Sequence, residues 1–221
     1  MQLNKIKDKN NKELLLDPFF NGKPFQVMME WEKPYMKKLV KNLKPKGDVL
    51  EIGFGLGYSA SEIQKYNIKS HTIIEPAVIK DLKFWSKKQK HKVNIVKGYW
   101  QKELKNLGKF DSIFFDDAPN DVYKDVNNVR IYKFIYELLN NHVNKNARLT
   151  WFCVEPIHFL CHPSLSWDIN VCKINVPKNC NYNNAALRKK LHMPLVTFKY
   201  GTTAALNQKA LNSQFKLERI N

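Results

Sequence analysis

From Val49 onward, short apolar runs rich in β-branched and aromatic residues alternate with segments of helical period, the pattern of a parallel sheet covered by helices on both faces. Strands are predicted near Val49 to Ile52, Thr72 to Ile74, Val93 to Val96, Ser112 to Phe115, Leu149 to Cys153, Ile169 to Ile174 and Leu195 to Phe198. Helices are predicted over Ser59 to Tyr66, Val78 to Lys88, Asn127 to Leu139 and Ile157 to Cys161. The last two strands lack a helix between them, so a short link makes them an antiparallel pair at the sheet edge. Residues 1–46 read as an arm followed by a lid helix, 47–201 as the core and 202–221 as a polar tail, all within one domain.

Composition narrows the class. Of the 221 residues 43% are apolar, enough for a real core, so a disordered or disulfide-stapled chain is excluded. No apolar run reaches the roughly 18–20 residues of a membrane span, and the N-terminus lacks a signal peptide's apolar stretch, which together predict a cytoplasmic protein. Cys153, Cys161, Cys172 and Cys180 form no C-x-x-C pair, so no metal site is expected and reduced thiols are favoured. The net charge of +17 would attract anionic partners, nucleic acid among them. However, only 4 of the 37 basic residues are arginine and asparagine is abundant, at 24, which points to a compositional bias toward Lys and Asn.

Candidate chemistry gathers where predicted strands end. The strand carrying Glu51 runs into Gly53-Phe54-Gly55-Leu56-Gly57, and alternating glycines let a backbone turn sharply beside a helix N-terminus and approach a ligand. The spacing differs from the G-x-G-x-x-G of dinucleotide enzymes and suits a nucleoside carrying an amino-acid group. Glu75, at the end of the next strand, can accept both hydroxyls of a ribose, or it is a surface acid. Gly98 and Tyr99 with Trp100 can border a flat base, or Trp100 is a core residue. Asp116 and Asp117 close the fourth strand, where ligands of open α/β sheets bind, or they cap the loop that Pro119 stiffens.

These motifs resemble the guanidinoacetate N-methyltransferase family of class I S-adenosylmethionine enzymes. The family's V-M-E-R-W-E-T-P-Y-M lid is similar to Val27-Met28-Met29-Glu30-Trp31-Glu32-Lys33-Pro34-Tyr35-Met36, and V-L-E-V-G-F-G to Val49-Leu50-Glu51-Ile52-Gly53-Phe54-Gly55. I-I-E matches Ile73-Ile74-Glu75, K-G-L-W resembles Lys97-Gly98-Tyr99-Trp100, and Y-D-T-Y-P resembles Phe115-Asp116-Asp117-Ala118-Pro119. The resemblance implies a Rossmann-like, seven-stranded, mostly parallel sheet with an antiparallel last strand, and S-adenosylmethionine as cofactor, with S-adenosylhomocysteine as product. It assigns Glu32 and Asp116 to the substrate guanidino group, Glu75 to the ribose and the Gly53 to Gly57 turn to the methionine portion; Glu51, Phe20 and Met28 are expected beside the cofactor and Trp31 beside the substrate, with Trp31 and Phe20 helping to close the lid.

The lid motif is shared with a fungal-type protein arginine methyltransferase, so the acceptor is a small guanidino or amine compound or a protein arginine, with a non-catalytic cofactor- or nucleic-acid-binding member as a third reading. Where the family has L-T-Y-C-N-L-T-S, this chain has Leu149-Thr150-Trp151-Phe152-Cys153-Val154-Glu155-Pro156, which puts Glu155 at or beside the place of a substrate carboxylate. Glu32, Asp116, Asp117 and Glu155 around one pocket would favour an acceptor more cationic than guanidinoacetate.

Overall fold

The computed structural model describes residues 3–18, 22–117, 129–153, 157–160, 162–178, 180, 190–202 and 217–219. Phe20, Glu155, Ala118, Pro119 and Cys161 lie outside them, as does most of the tail. The N-terminal region departs from the expected arm. It forms a three-stranded antiparallel sheet of β1 (Asn4–Lys7), β2 (Glu13–Asp17) and β3 (Phe25–Met29). Asp8 organises the β1–β2 turn, its Oδ1 accepting the amides of Asn10 and Lys12 at 2.8 and 2.9 Å. Leu14 and Leu15 of β2 are buried, which attaches this sheet to the main core.

A short 3-10 turn, Glu30–Glu32, leads into α1 (Lys33–Leu43), which carries Pro34 in its first turn and ends at Lys44 in the left-handed conformation. Then follow β4 (Gly47–Ile52), α2 (Tyr58–Ile63), β5 (Ile68–Glu75), α3 (Ile79–Ser86), β6 (Val93–Lys97), α4 (Trp100–Glu103) and β7 (Phe110–Phe115). The chain continues through α5 (Val129–Glu137), extended by a π turn, to β8 (Val143–Trp151). Next come β9 (His158–Leu160), β10 (Leu165–Lys173), β11 (Lys190–Phe198) and β12 (Leu217–Arg219).

The central sheet has the order β10-β11-β8-β7-β4-β5-β6. Five strands run parallel, and β11 runs antiparallel to both β8 and β10, as expected for the final pair. Residues 157–160, the described part of the expected helix over 157–161, are not helical. His158–Leu160 is a strand and pairs with Leu217–Arg219 of the C-terminal region.

Alternation along each strand divides the core. Val49, Ile73 and Phe114 face α1 and α2, while Leu50, Ile52, Ile74, Ile113 and Phe115 pack with α5 through Phe134, Ile135 and Leu138. Strand order reverses between β4 and β7, and the crevice beyond the carboxyl ends of that pair is where ligands bind in open α/β sheets. No helix among the described residues is long and apolar enough to cross a membrane.

Candidate functional site

The glycine turn leaves β4 at this reversal. Gly53, Gly55 and Gly57 all have positive φ, at 82°, 53° and 73°. A Cβ on Gly53 would lie 2.1 Å from the carbonyl oxygen of Asp116, so only glycine lets the two loops meet. A Cβ on Gly55 would come 2.6 Å from the Met28 sulfur, which accepts the Leu56 amide at 3.2 Å. Met28, predicted on a lid, is thus brought from β3 directly onto the turn.

Glu75 is buried and reaches back to the same turn. Its Oε2 accepts the Phe54 amide at 2.8 Å, and its Oε1 accepts Ala77 and Val78 at 2.6 and 3.1 Å. These three bonds aim the carboxylate across the crevice and use three of its roughly four acceptor positions. Glu51, predicted as a cofactor contact, is instead enclosed behind the turn. Strand alternation sends it toward α2, where Oε1 accepts the Ser59 hydroxyl at 2.5 Å and Oε2 lies 2.8 Å from His71 Nε2. Gln64 fixes the imidazole tautomer. Its oxygen accepts the His91 amide at 3.1 Å, so its NH₂ faces His71 Nδ1 at 3.2 Å and leaves the proton on Nε2, toward Glu51.

The same alternation separates the two aspartates that end β7. Asp116 follows Phe114 onto the face of Glu51 and Glu75, whereas Asp117 follows Phe115 onto the opposite face. There Asp117 Oδ2 accepts the Trp100 indole N–H at 3.0 Å, and Oδ1 lies 3.5 Å from Arg130. Trp100 itself is buried against Phe115 and Phe134, the core alternative for that residue. Neighbouring Tyr99 is exposed at the mouth, after Gly98. The expectation that Asp117 lines a substrate pocket beside Asp116 is therefore corrected: it braces the second core.

Asp116 makes no side-chain hydrogen bond among the described residues. Loss of hydration, followed by the negative charges of Asp117, Glu51 and Glu75, pushes its carboxyl up to about 7, against a smaller opposing pull from Arg130. A carboxyl poised there exchanges protons near neutral pH.

Glu32 and Trp31 lie just before α1. Glu32 is buried, and its Oε1 accepts the Met29 amide at 2.7 Å. One turn further, Tyr35 lies on the same side of the chain, and its hydroxyl contacts the backbone of Cys153 at 3.0 Å and the carbonyl of His192. Burial, then the neighbouring Cys153 thiol, holds the Tyr35 phenol well above its ordinary value, with Asp116 adding to the effect. Tyr35 was not predicted as a site residue. It ties the Glu32 segment to the ends of β8 and β11, and the signal for it was its position three residues after Glu32 in the lid motif.

A family model described as guanidinoacetate N-methyltransferase matches residues 10–155. A relative named protein arginine N-methyltransferase 2 from Candida glabrata is 32% identical over 177 residues, covering 75% of this chain and 42% of that protein. Its namesake from Emericella nidulans is 38% identical over 110 residues, 46% of this chain and 25% of that protein. The chain therefore spans less than half the length of these curated relatives. Spermidine synthase from Thermotoga maritima shares the fold, with a TM-score of 0.54 at 12% identity over 97% of this chain and 84% of that one.

Proposed function

The chain belongs to the guanidinoacetate N-methyltransferase family, and we propose that it transfers a methyl group from S-adenosylmethionine to a guanidino or amine nitrogen. The observation that carries this reading is Asp116, a carboxyl poised near neutrality at the strand reversal, beside a turn that only glycine can form.

The cofactor supplies an electrophilic methyl group on a sulfonium. The residues present fit such a group: positions 53, 55 and 57 of the turn carry no side chain of their own, and Glu75 is held by three amides beside it. In this reading Glu75 takes a ribose hydroxyl with the acceptor position its three amides leave, the turn takes the methionine portion, and Tyr99 and Gly98 border the base. Met28 covers the turn, while Trp31 of the lid motif helps exclude water.

A guanidinium has no free lone pair and keeps its proton in water far above neutral pH. Asp116 accepts that proton as the new C–N bond forms, and Glu32 fixes the opposite N–H edge, since carboxylates pair with guanidinium in a plane. Alignment of the nitrogen with the methyl carbon supplies most of the remaining acceleration.

The acceptor we favour is a small guanidino or amine compound. A protein arginine is the second reading, supported by the names of the curated relatives. The case for a strongly cationic pocket now stands on Glu32 and Asp116, because Asp117 is turned to Trp100. Labelled methyl transfer to guanidinoacetate, free arginine, agmatine, arginine peptides and lysate protein decides among them. Label in the small compounds supports the first reading, and label confined to protein supports the second. Cofactor binding without transfer to any acceptor would leave a non-catalytic member of the fold.

A further inference from the structure

Tyr58 is the first residue of α2, immediately after Gly57, and it is nearly buried. Its hydroxyl donates to Glu13 Oε2 at 2.7 Å, a bond that joins the glycine turn to the first residue of β2. Glu13 is itself held from both sides: its amide donates to Glu30 Oε2 at 3.0 Å, and its Oε1 pairs with Lys5 at 3.0 Å. Lys12 steadies Glu30 through Oε1 at 3.0 Å. On the other side of the turn, Met28 of β3 receives the Leu56 amide. The N-terminal sheet thus grips the turn at two points, Leu56 and Tyr58, separated by Gly57.

We propose that Tyr58 and Glu13 form a latch that holds the N-terminal sheet shut over the glycine turn and slows release of the bound cofactor; this rests on the cofactor assignment above. Leu14 and Leu15 pack the inner face of the cover into the main core, and its outer strand adds little to that hold. β1 is exposed along its whole length, and Lys5 and Lys12 are largely solvated, where ion pairs contribute little. A hydroxyl donating to a carboxylate is one of the stronger hydrogen bonds, and this one is part-buried, with Tyr58 enclosed and Glu13 35% exposed. The pair also stays in its bonding state across the working pH range. The Tyr58 bond draws the Glu13 carboxyl below its usual range, and burial with Glu13 beside it raises the phenol. Tyr58 and Glu13 are positioning residues: they act through the sheet that they hold and touch no reacting atom.

The dissociation rate of S-adenosylhomocysteine from the full chain tests the latch, compared for wild type, Tyr58→Phe, Glu13→Ala, Glu13→Gln and the Tyr58→Phe/Glu13→Ala double variant. Tyr58→Phe and Glu13→Ala should each release it about tenfold faster, the size expected when a charged hydrogen bond is lost. The double variant should be no faster than either single one, and Glu13→Gln, which keeps an acceptor oxygen, should approach wild type. Unchanged rates in both single variants, or effects that multiply in the double variant, would overturn the latch. If wild type takes up no S-adenosylhomocysteine, the cofactor assignment falls instead. Amide exchange of β2 and β3 then decides the latch alone, with faster exchange in Tyr58→Phe supporting it and equal exchange refuting it.

Discussion

Asp117 accepts the indole N–H of Trp100 at 3.0 Å, which turns it away from the crevice that its neighbour Asp116 faces. Two adjacent acids therefore have separable consequences. Asp117→Ala leaves the buried indole without its acceptor and removes the partner of Arg130, and should lower unfolding free energy by about 1–3 kcal/mol in urea titrations while retaining methyl transfer. Asp116→Asn should keep cofactor affinity, match or exceed wild-type stability at neutral and higher pH, and lose turnover by ~100- to 10,000-fold, the usual contribution of a general base. Equal damage to turnover by both variants would contradict this division.

The pH dependence of stability and that of activity should have opposite signs. Asp116 ionises near 7 in the folded chain, whereas an unfolded aspartate ionises near ~3.9. Between those values the folded chain holds a proton that the unfolded chain has lost, so this residue's contribution to stability declines as pH rises through the window and levels off above it. Turnover needs the ionised form and should rise with an apparent pKa close to 7. Asp116→Asn should abolish both dependences, which parallel urea titrations and rate profiles from pH 5 to 9 would reveal.

Glu75 is a brace as well as the proposed ribose ligand, because its three backbone partners belong to the turn and to the loop before α3. Glu75→Ala should weaken S-adenosylhomocysteine binding by about 1.5–3 kcal/mol and also lower the melting temperature of the free protein. Calorimetry of binding and of unfolding separates the two. Undiminished affinity would remove Glu75 from the ribose site while leaving its bracing role intact.

Replacing His71 by leucine strands a buried carboxylate. Glu51 would retain Ser59 and lose the neutral imidazole 2.8 Å away, and loss of a buried polar partner typically costs about 1–3 kcal/mol. Glu51→Gln together with His71→Leu removes the stranded charge and should recover part of that loss in chemical denaturation.

The glycines of the turn should differ in tolerance. Gly53→Ala drives a methyl group into the backbone of Asp116, which cannot move without shifting β7, so the variant should express poorly or unfold. Gly55→Ala meets the end of a flexible methionine. It should cost about 1–2 kcal/mol for the left-handed backbone and leave a folded protein by circular dichroism.

The central strands are legible in the sequence because both faces are covered, which writes them as apolar runs such as Val49 to Ile52 and Ser112 to Phe115. The sheet of residues 4–29 is not. Asn4–Lys7 is wholly exposed and carries no burial period, and Glu13–Asp17 has consecutive leucines where alternation would mark a strand. Residues 165–173 and 190–198 extend beyond the stretches expected near 169–174 and 195–198, since at the sheet edge polar residues such as Ser166 and Asp168 alternate outward. For the site, residue types identified Glu75 and Asp116. The opposite orientations of Asp116 and Asp117, and the turning of Glu51 toward His71, depend on strand parity and on what packs against each face.

The hydrogen-bond ladder continues past the strand ends. Gly53 donates to Ile74, Gly98 to Glu75, Asp116 to Ile52 and Phe152 to Phe115, so each functional loop begins as one more rung of the sheet. Glu75 ends β5 and Asp116 follows β7, with β4 between them, which sets their strands two spacings apart, roughly 10 Å. The sheet thereby acts as a ruler graduated in whole strands. Surface loops can change length without altering that span, and acceptors of different size must be accommodated outward from Asp116, along the rim.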